Sequence, residues 1–186
     1  MADAGMPLDM ALFIPAIASY YSDSKGNLAA LPFNSSSPVL YYNKDALKKA
    51  GYDPEAPFPK TWPEVIEMAR KIKASGTKYG ISTNWLSWIQ LENLSTLHNV
   101  PFASKGNGLD GFDAVLEFNS PFHLKHIEML KTLHDEGVFL YAGAQSPSVF
   151  YAGDMGILPT LPALSRTSKP TPSSPMAWPS FPIGPI

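Results

Sequence analysis

Apolar residues along this chain alternate between stretches with a helical period and short unbroken runs, and that alternation predicts its elements. Trp62, Val65, Ile66, Ala69 and Ile72 fall on one face at helical spacing. Thr61 stands at the N-cap of that helix, Glu64 at the capping-box position, and Gly76 at its end. Val39-Leu40-Tyr41-Tyr42 is a compact β-prone run and predicts a buried strand. Asn43 then caps a helix over 44–50, with Gly51 as its stop. Strands are expected at Tyr79–Thr83, Ala114–Phe118 and Met155–Leu158. A helix from about Trp85 to His98 follows the cap candidates Ser82, Thr83 and Asn84. Ser120 and Pro121 open another that stops at Gly137, with Leu124, Ile127, Leu130 and Leu133 as its buried side. Nearer the start, Ser19-Tyr20-Tyr21 and Leu28–Leu31 flank the turn cluster Asp23–Asn27, the pattern of a hairpin. Strands interleaved with helices predict a layered α/β fold.

Composition narrows the class. Hydrophobic residues make up 45% and charged residues 16% of 186, the balance of a soluble globular chain. A net charge of −2 offers no basic footprint for nucleic acid. With no cysteine, disulfides, thiolate metal sites and a thiol nucleophile are excluded. Met1–Ala18 has no charged leader, carries Asp3 and Asp9, and is broken by Pro7 and Pro15; it reads as neither signal peptide nor membrane span. As written, the chain would therefore stay cytoplasmic. From Pro159 onward, Pro159, Pro162, Pro170, Pro172, Pro175, Pro179, Pro182 and Pro185 are set among Ser and Thr, and no periodicity survives. An irregular Pro-rich tail is expected there.

Few residues suggest reaction chemistry. His123 and His126, spaced i, i+3 with Glu128 nearby, invite a metal reading, but no third ligand converges on them and no metal is expected. No nucleophile–base or acid–base constellation can be named, which argues against an enzyme. Two features suit a small polar ligand instead. Asn34, Ser35, Ser36 and Ser37 form a polar loop stiffened by Pro38 and feeding the strand at Val39. Trp85 and Trp88, at i, i+3 near a helix start, can line one surface. Indole faces beside hydroxyl and amide donors suit a sugar or polyol, and the plainer reading makes one or both tryptophans core.

Longer runs add a resemblance. These are Tyr20-Tyr21-Ser22-Asp23-Ser24-Lys25, Pro32-Phe33-Asn34-Ser35-Ser36, Pro38–Asp45 and Lys60-Thr61-Trp62. Further on come Trp88–Asn93, Pro101–Lys105 and Asp113–Asn119. Together they resemble the periplasmic sn-glycerol-3-phosphate-binding proteins of bacterial ABC importers, a branch of the family-1 extracellular solute-binding proteins. The resemblance implies a type II periplasmic-binding-protein-like α/β fold, two-lobed in the family and incomplete here. It implies capture of sn-glycerol 3-phosphate or glycerophosphodiesters by a periplasmic monomer that docks onto permease subunits. It implies no catalysis, cofactor, metal or nucleic-acid partner. Ser36, Trp85 and Trp88 match the family's ligand-contacting positions. The implied division is 1–42 as part of a first lobe with a hinge-crossing strand, 43–158 as second lobe, and 159–186 as tail.

Departures accompany it. Phe150–Met155 matches the family, but Pro-rich sequence stands where its small-residue ligand loop should follow, and Leu86-Ser87 differs between the tryptophans. On this reading Met1 is an internal start, Pro159–Ile186 is out-of-frame translation, and the chain is a fragment. The alternatives are a binding protein for another sugar or polyol, or a truncated product with no binding role.

Overall fold

The computed structural model describes Asp9 and residues 12–161. In chain order the elements are α1 (Pro15–Tyr20), β1 (Val39–Tyr42), α2 (Lys44–Lys49), α3 (Trp62–Ala74) and β2 (Tyr79–Ser82). A π-helical segment, Trp88–Asn93, runs into α4 (Leu94–Leu97), followed by the turn α5 (Ser104–Asn107) and α6 (Pro121–Asp135). The last elements are β3 (Phe139–Leu140), the 3-10 turn Gly143–Gln145, α7 (Ser146–Tyr151) and β4 (Met155–Thr160). Contacts group the chain into two units, Met1–Ser36 with Ala103–Val115, and Ser37–Phe102 with Leu116–Ile186. Strand β1 therefore belongs with the helices that follow it, and residues 103–115 belong with the N-terminal segment.

The larger unit is built on a sheet of order β1-β4-β2-β3. Strand β4 runs parallel to β2 and antiparallel to β1, pairing Val39 with Thr160 and Tyr42 with Ile157. All six residues of β4 are buried, as a strand flanked on both edges and covered on both faces should be. Tyr42 stacks on Phe58 at 5.6 Å between ring centroids, while Tyr41, on the opposite face, meets Phe150 edge-on at 6.4 Å. Trp62, Val65, Met68, Ala69 and Ile72 supply the buried stripe of α3.

Local signals explain the helix ends. The Asn43 side chain accepts the backbone N–H groups of Asp45 and Ala46, each at 3.0 Å. The Glu64 carboxylate accepts the Thr61 N–H at 3.0 Å and its hydroxyl at 2.8 Å, closing the start of α3. On the outer side of α3, the Arg70 guanidinium makes two 2.7 Å bonds to the Glu136 carboxylate just past α6.

Helix α3 lies very close to the sheet. A Cβ at Gly80 would sit 2.1 Å from the carbonyl oxygen of Ala69, and one at Gly156 would sit 2.6 Å from Ile72 Cγ2. Glycine in both β2 and β4 is what allows that approach.

Several expectations are corrected. The N-terminal hairpin reduces to one antiparallel bridge, Ser22 to Leu28, because Ser19 and Tyr20 continue α1. Its turn is nonetheless well made: the Asp23 carboxylate accepts the N–H groups of Lys25 and Asn27 and the Asn27 amide. These bonds, those from Asn27 foremost, hold the Asp23 carboxyl below its usual range. Ala114–Phe118 forms no strand. Val115 and Leu116 are 63% and 64% exposed, so no sheet face receives them.

The buried side of α6 is His123, His126, Leu130 and Leu133, whereas Leu124 and Ile127 are 53% and 38% exposed. A stripe spaced strictly by threes drifts around a helix; alternating threes and fours holds one face. Strand β4 also runs two residues beyond Leu158, taking in Pro159 and Thr160. Asn43 N–H donates to Gly156 O at 2.8 Å, so by alternation the Leu40–Pro159 pair is a non-hydrogen-bonded one. The ladder to β1 needs no N–H from Pro159. The rest of the Pro-rich stretch, residues 162–186, lies outside the described residues.

The α3–sheet contact yields a ranked prediction. Gly80→Ala meets backbone at 2.1 Å and is expected to lower unfolding free energy by about 3 kcal/mol or more, whereas Gly156→Ala meets Ile72 Cγ2 at 2.6 Å and the Gly80 carbonyl oxygen at 3.0 Å, a milder clash that costs about 2 kcal/mol. Urea denaturation of the two variants checks the order.

Candidate functional site

Ser36 belongs to the smaller unit, and the loop Asn34–Ser37 is exposed throughout. The Tyr21 hydroxyl donates to the Asn34 carbonyl at 3.3 Å and ties that loop to the end of α1. The hydroxyl of Ser36 is thus presented on an anchored loop.

Trp85 and Trp88 belong to the larger unit, and their setting differs from the expected one. Trp85 is not in the helix. Its φ is +49°, a left-handed conformation that a bulky L-residue adopts at a cost of about 1–2 kcal/mol. Its indole is 57% exposed. Trp88 opens the π-helical segment, is half-buried, and packs against the main core cluster. Helical i, i+3 geometry therefore does not relate the two rings. The plainer reading holds in part for Trp88 and not for Trp85. A π-turn was not foreseeable from apolar spacing, and such turns recur at functional sites.

A buried polar chain supports this segment. Gln90, 1% exposed, donates to Thr83 Oγ1 at 3.1 Å, and its carbonyl lies 2.9 Å from His126 Nε2. Thr83 in turn donates to the Asn84 carbonyl at 3.0 Å. Sequence reasoning took Ser82, Thr83 and Asn84 for alternative helix caps, and their polarity was the available signal. Ser82 and Ser146 instead share a 2.9 Å hydrogen bond beneath the turn.

The two histidines read as metal candidates are core groups. His123 places one ring nitrogen 2.7 Å from Ser95 Oγ and the other 2.7 Å from Ser120 Oγ. His126 stands edge-on to Trp62 at 5.1 Å, and its Nδ1 is buried with no hydrogen-bond partner. Burial, reinforced by His98 and His123, pushes the His126 pKa down to about 3. Burial also lowers the pKa values of His98 and His123. Among the described residues no three His, Cys, Asp or Glu side chains converge as a metal site.

A mixed sheet covered by helices is a layered α/β arrangement. The chain matches maltose-bound MalE3 of T. maritima with a TM-score of 0.69 at 22% identity, covering 95% of this chain and 46% of that one. It matches Mycobacterium tuberculosis UgpB in complex with glycerophosphocholine with a TM-score of 0.65 at 18% identity, covering 86% and 40%. Residues 1–185 match the family described as bacterial extracellular solute-binding protein, and the chain belongs to that family. It is 56% identical over 155 residues to the sn-glycerol-3-phosphate-binding periplasmic protein UgpB of Escherichia coli K12. That alignment takes in 82% of this chain and 35% of the relative, so the chain spans about a third of the length of the curated relatives it matches.

Two predictions follow from this geometry. Trp85→Gly, which suits a positive φ, is expected to leave stability unchanged or raised, whereas Trp88→Ala removes core packing and costs about 2–4 kcal/mol; thermal denaturation separates them. The histidines make stability pH-dependent. A folded-state pKa of about 3 against an ordinary 6.5 means the unfolded chain binds the proton first. Stability is then full above the ordinary value and falls on acidification towards pH 3, by up to about 1.4 kcal/mol per pH unit for His126 alone. Urea midpoints at pH 7 and pH 5 check this, and His126→Gln flattens the slope.

Proposed function

We propose that this chain is part of the solute-binding component of an ABC importer that captures sn-glycerol 3-phosphate or glycerophosphodiesters for uptake. The observation that carries the reading is the 56% identity over 155 residues to the glycerol-phosphate-binding relative. On this reading the protein works in the periplasm as a monomer, delivers its ligand to permease subunits and catalyses nothing. Ser36, Trp85 and Trp88 are the proposed ligand contacts. In the larger unit the exposed Trp85 ring offers an apolar face suited to the C–H surface of a glycerol unit; in the smaller unit the exposed Ser36 offers a hydroxyl suited to a polyol oxygen. An exposed tryptophan held in a strained backbone is otherwise unexplained by packing.

A thermal-shift and calorimetric titration tests this with glycerol 3-phosphate, glycerophosphocholine and maltose. Ligand that binds only the native state stabilises it by about 2.7 kcal/mol at a hundredfold excess over Kd. The expected result is a shift with the two glycerophosphates, none with maltose, and loss of the shift in Ser36→Ala and Trp85→Ala. Equal shifts with all three compounds, or a shift with maltose alone, would overturn the reading.

A further inference from the structure

The turn before the π-helical segment holds Trp85 by means that the ligand reading does not itself supply. Asn84 uses both ends of its side-chain amide. Its Oδ1 accepts the Trp85 N–H at 3.0 Å, and its Nδ2 donates to Thr160 Oγ1 at 3.3 Å. Its backbone N–H donates to the carbonyl of Pro159 at 3.1 Å. Thr160 is 1% exposed, so the far end of this brace is anchored in the interior of the sheet. On the other side of Trp85, its carbonyl accepts the Ile89 N–H at 2.9 Å, which fixes it to the first turn of the following helix. A left-handed tryptophan has no intrinsic reason to stay in that conformation, and these bonds over-determine it.

We infer that Asn84 is a positioning residue, braced against Thr160 at the end of β4, that fixes the backbone of Trp85 and so sets how the indole is presented to a polyol phosphate. The inference rests on Trp85 being a ligand contact, as proposed above. It adds that the presentation is built into the unliganded chain. The chemistry specifies the residue at 84: one group must accept from the N–H of Trp85 while a second bonds the Thr160 hydroxyl. Asparagine does both. Aspartate also does both, because the hydroxyl can turn round and donate to the second carboxylate oxygen. Alanine does neither.

The test labels the whole chain with 5-fluorotryptophan and reads the fluorine resonances of Trp62, Trp85, Trp88 and Trp178, with Trp85→Phe assigning the relevant one. In Asn84→Ala the Trp85 resonance is expected to shift or broaden while that of the fully enclosed Trp62 stays in place, and Asn84→Asp is expected to restore it. Thr160→Val, which removes only the far anchor and keeps side-chain volume, should move the same resonance and stands in if the alanine variant does not fold. An unmoved Trp85 resonance, an equal displacement of Trp62, or no recovery with aspartate would overturn the inference. Titration with glycerol 3-phosphate then reads the consequence, with Asn84→Ala binding roughly tenfold more weakly than the unaltered chain. Absence of binding in the unaltered chain would sink the ligand reading alone, since the ligand-free resonances decide the brace independently.

Discussion

The close seating of α3 on the sheet is the constraint from which the larger unit takes its form. Gly80 and Gly156 leave β2 and β4 without side chains where the helix crosses, so backbone meets backbone and the side chain of Ile72 lies against the gap. That contact fixes the height of α3 above the sheet, and with it the places of Trp62, Val65 and Ala69 in the core. Trp62 then abuts His126 of α6, and Arg70 reaches the end of α6 from outside. One tight crossing thus orders two helices as well as one.

The polar interior follows a second logic. Two buried partnerships, His123 with Ser95 and His126 with Gln90, join α6 to α4 and the π-helical segment, where an apolar interface would be the simpler choice. Neutral imidazoles tolerate that setting because three of the four ring nitrogens of His123 and His126 find a partner, and because burial keeps the protons off. The same polar chain continues through Thr83 to the turn that carries Trp85. Fold stability and presentation of the aromatic ring therefore share components in this part of the molecule.

What could be read in advance divides along physical lines. Caps and stops depend on neighbours in sequence, so Asn43, Gly51, Thr61 with Glu64, and Gly76 were all legible. The strand at Val39–Tyr42 was legible too, because a short β-prone run bounded by Pro38 and Asn43 has few alternatives. Features set by distant contacts were not. Whether Leu124 or His123 faces inward on α6 depends on Ser95 and Gln90 being available across the core. Whether Val115 and Leu116 form a strand depends on a partner long enough to make a ladder, and here the pairing stops at a single bridge, with Glu117 N–H bonded to the Phe102 carbonyl at 2.8 Å. The proposed ligand contacts were picked out by type and by resemblance, but the left-handed backbone of Trp85 and the tie of its neighbour Asn84 to Thr160 are long-range facts that no local window contains.

The strand order carries a consequence for how this protein is made. The strand that pairs with both β1 and β2 is the last of the four to be synthesised. Until it emerges, β1 and β2 have no common partner, and the groove that α3 will cover stands open on a ribosome-bound chain. Closing the sheet requires a contact of high sequence separation, which slows folding and lengthens the interval in which apolar strand faces are available to other chains.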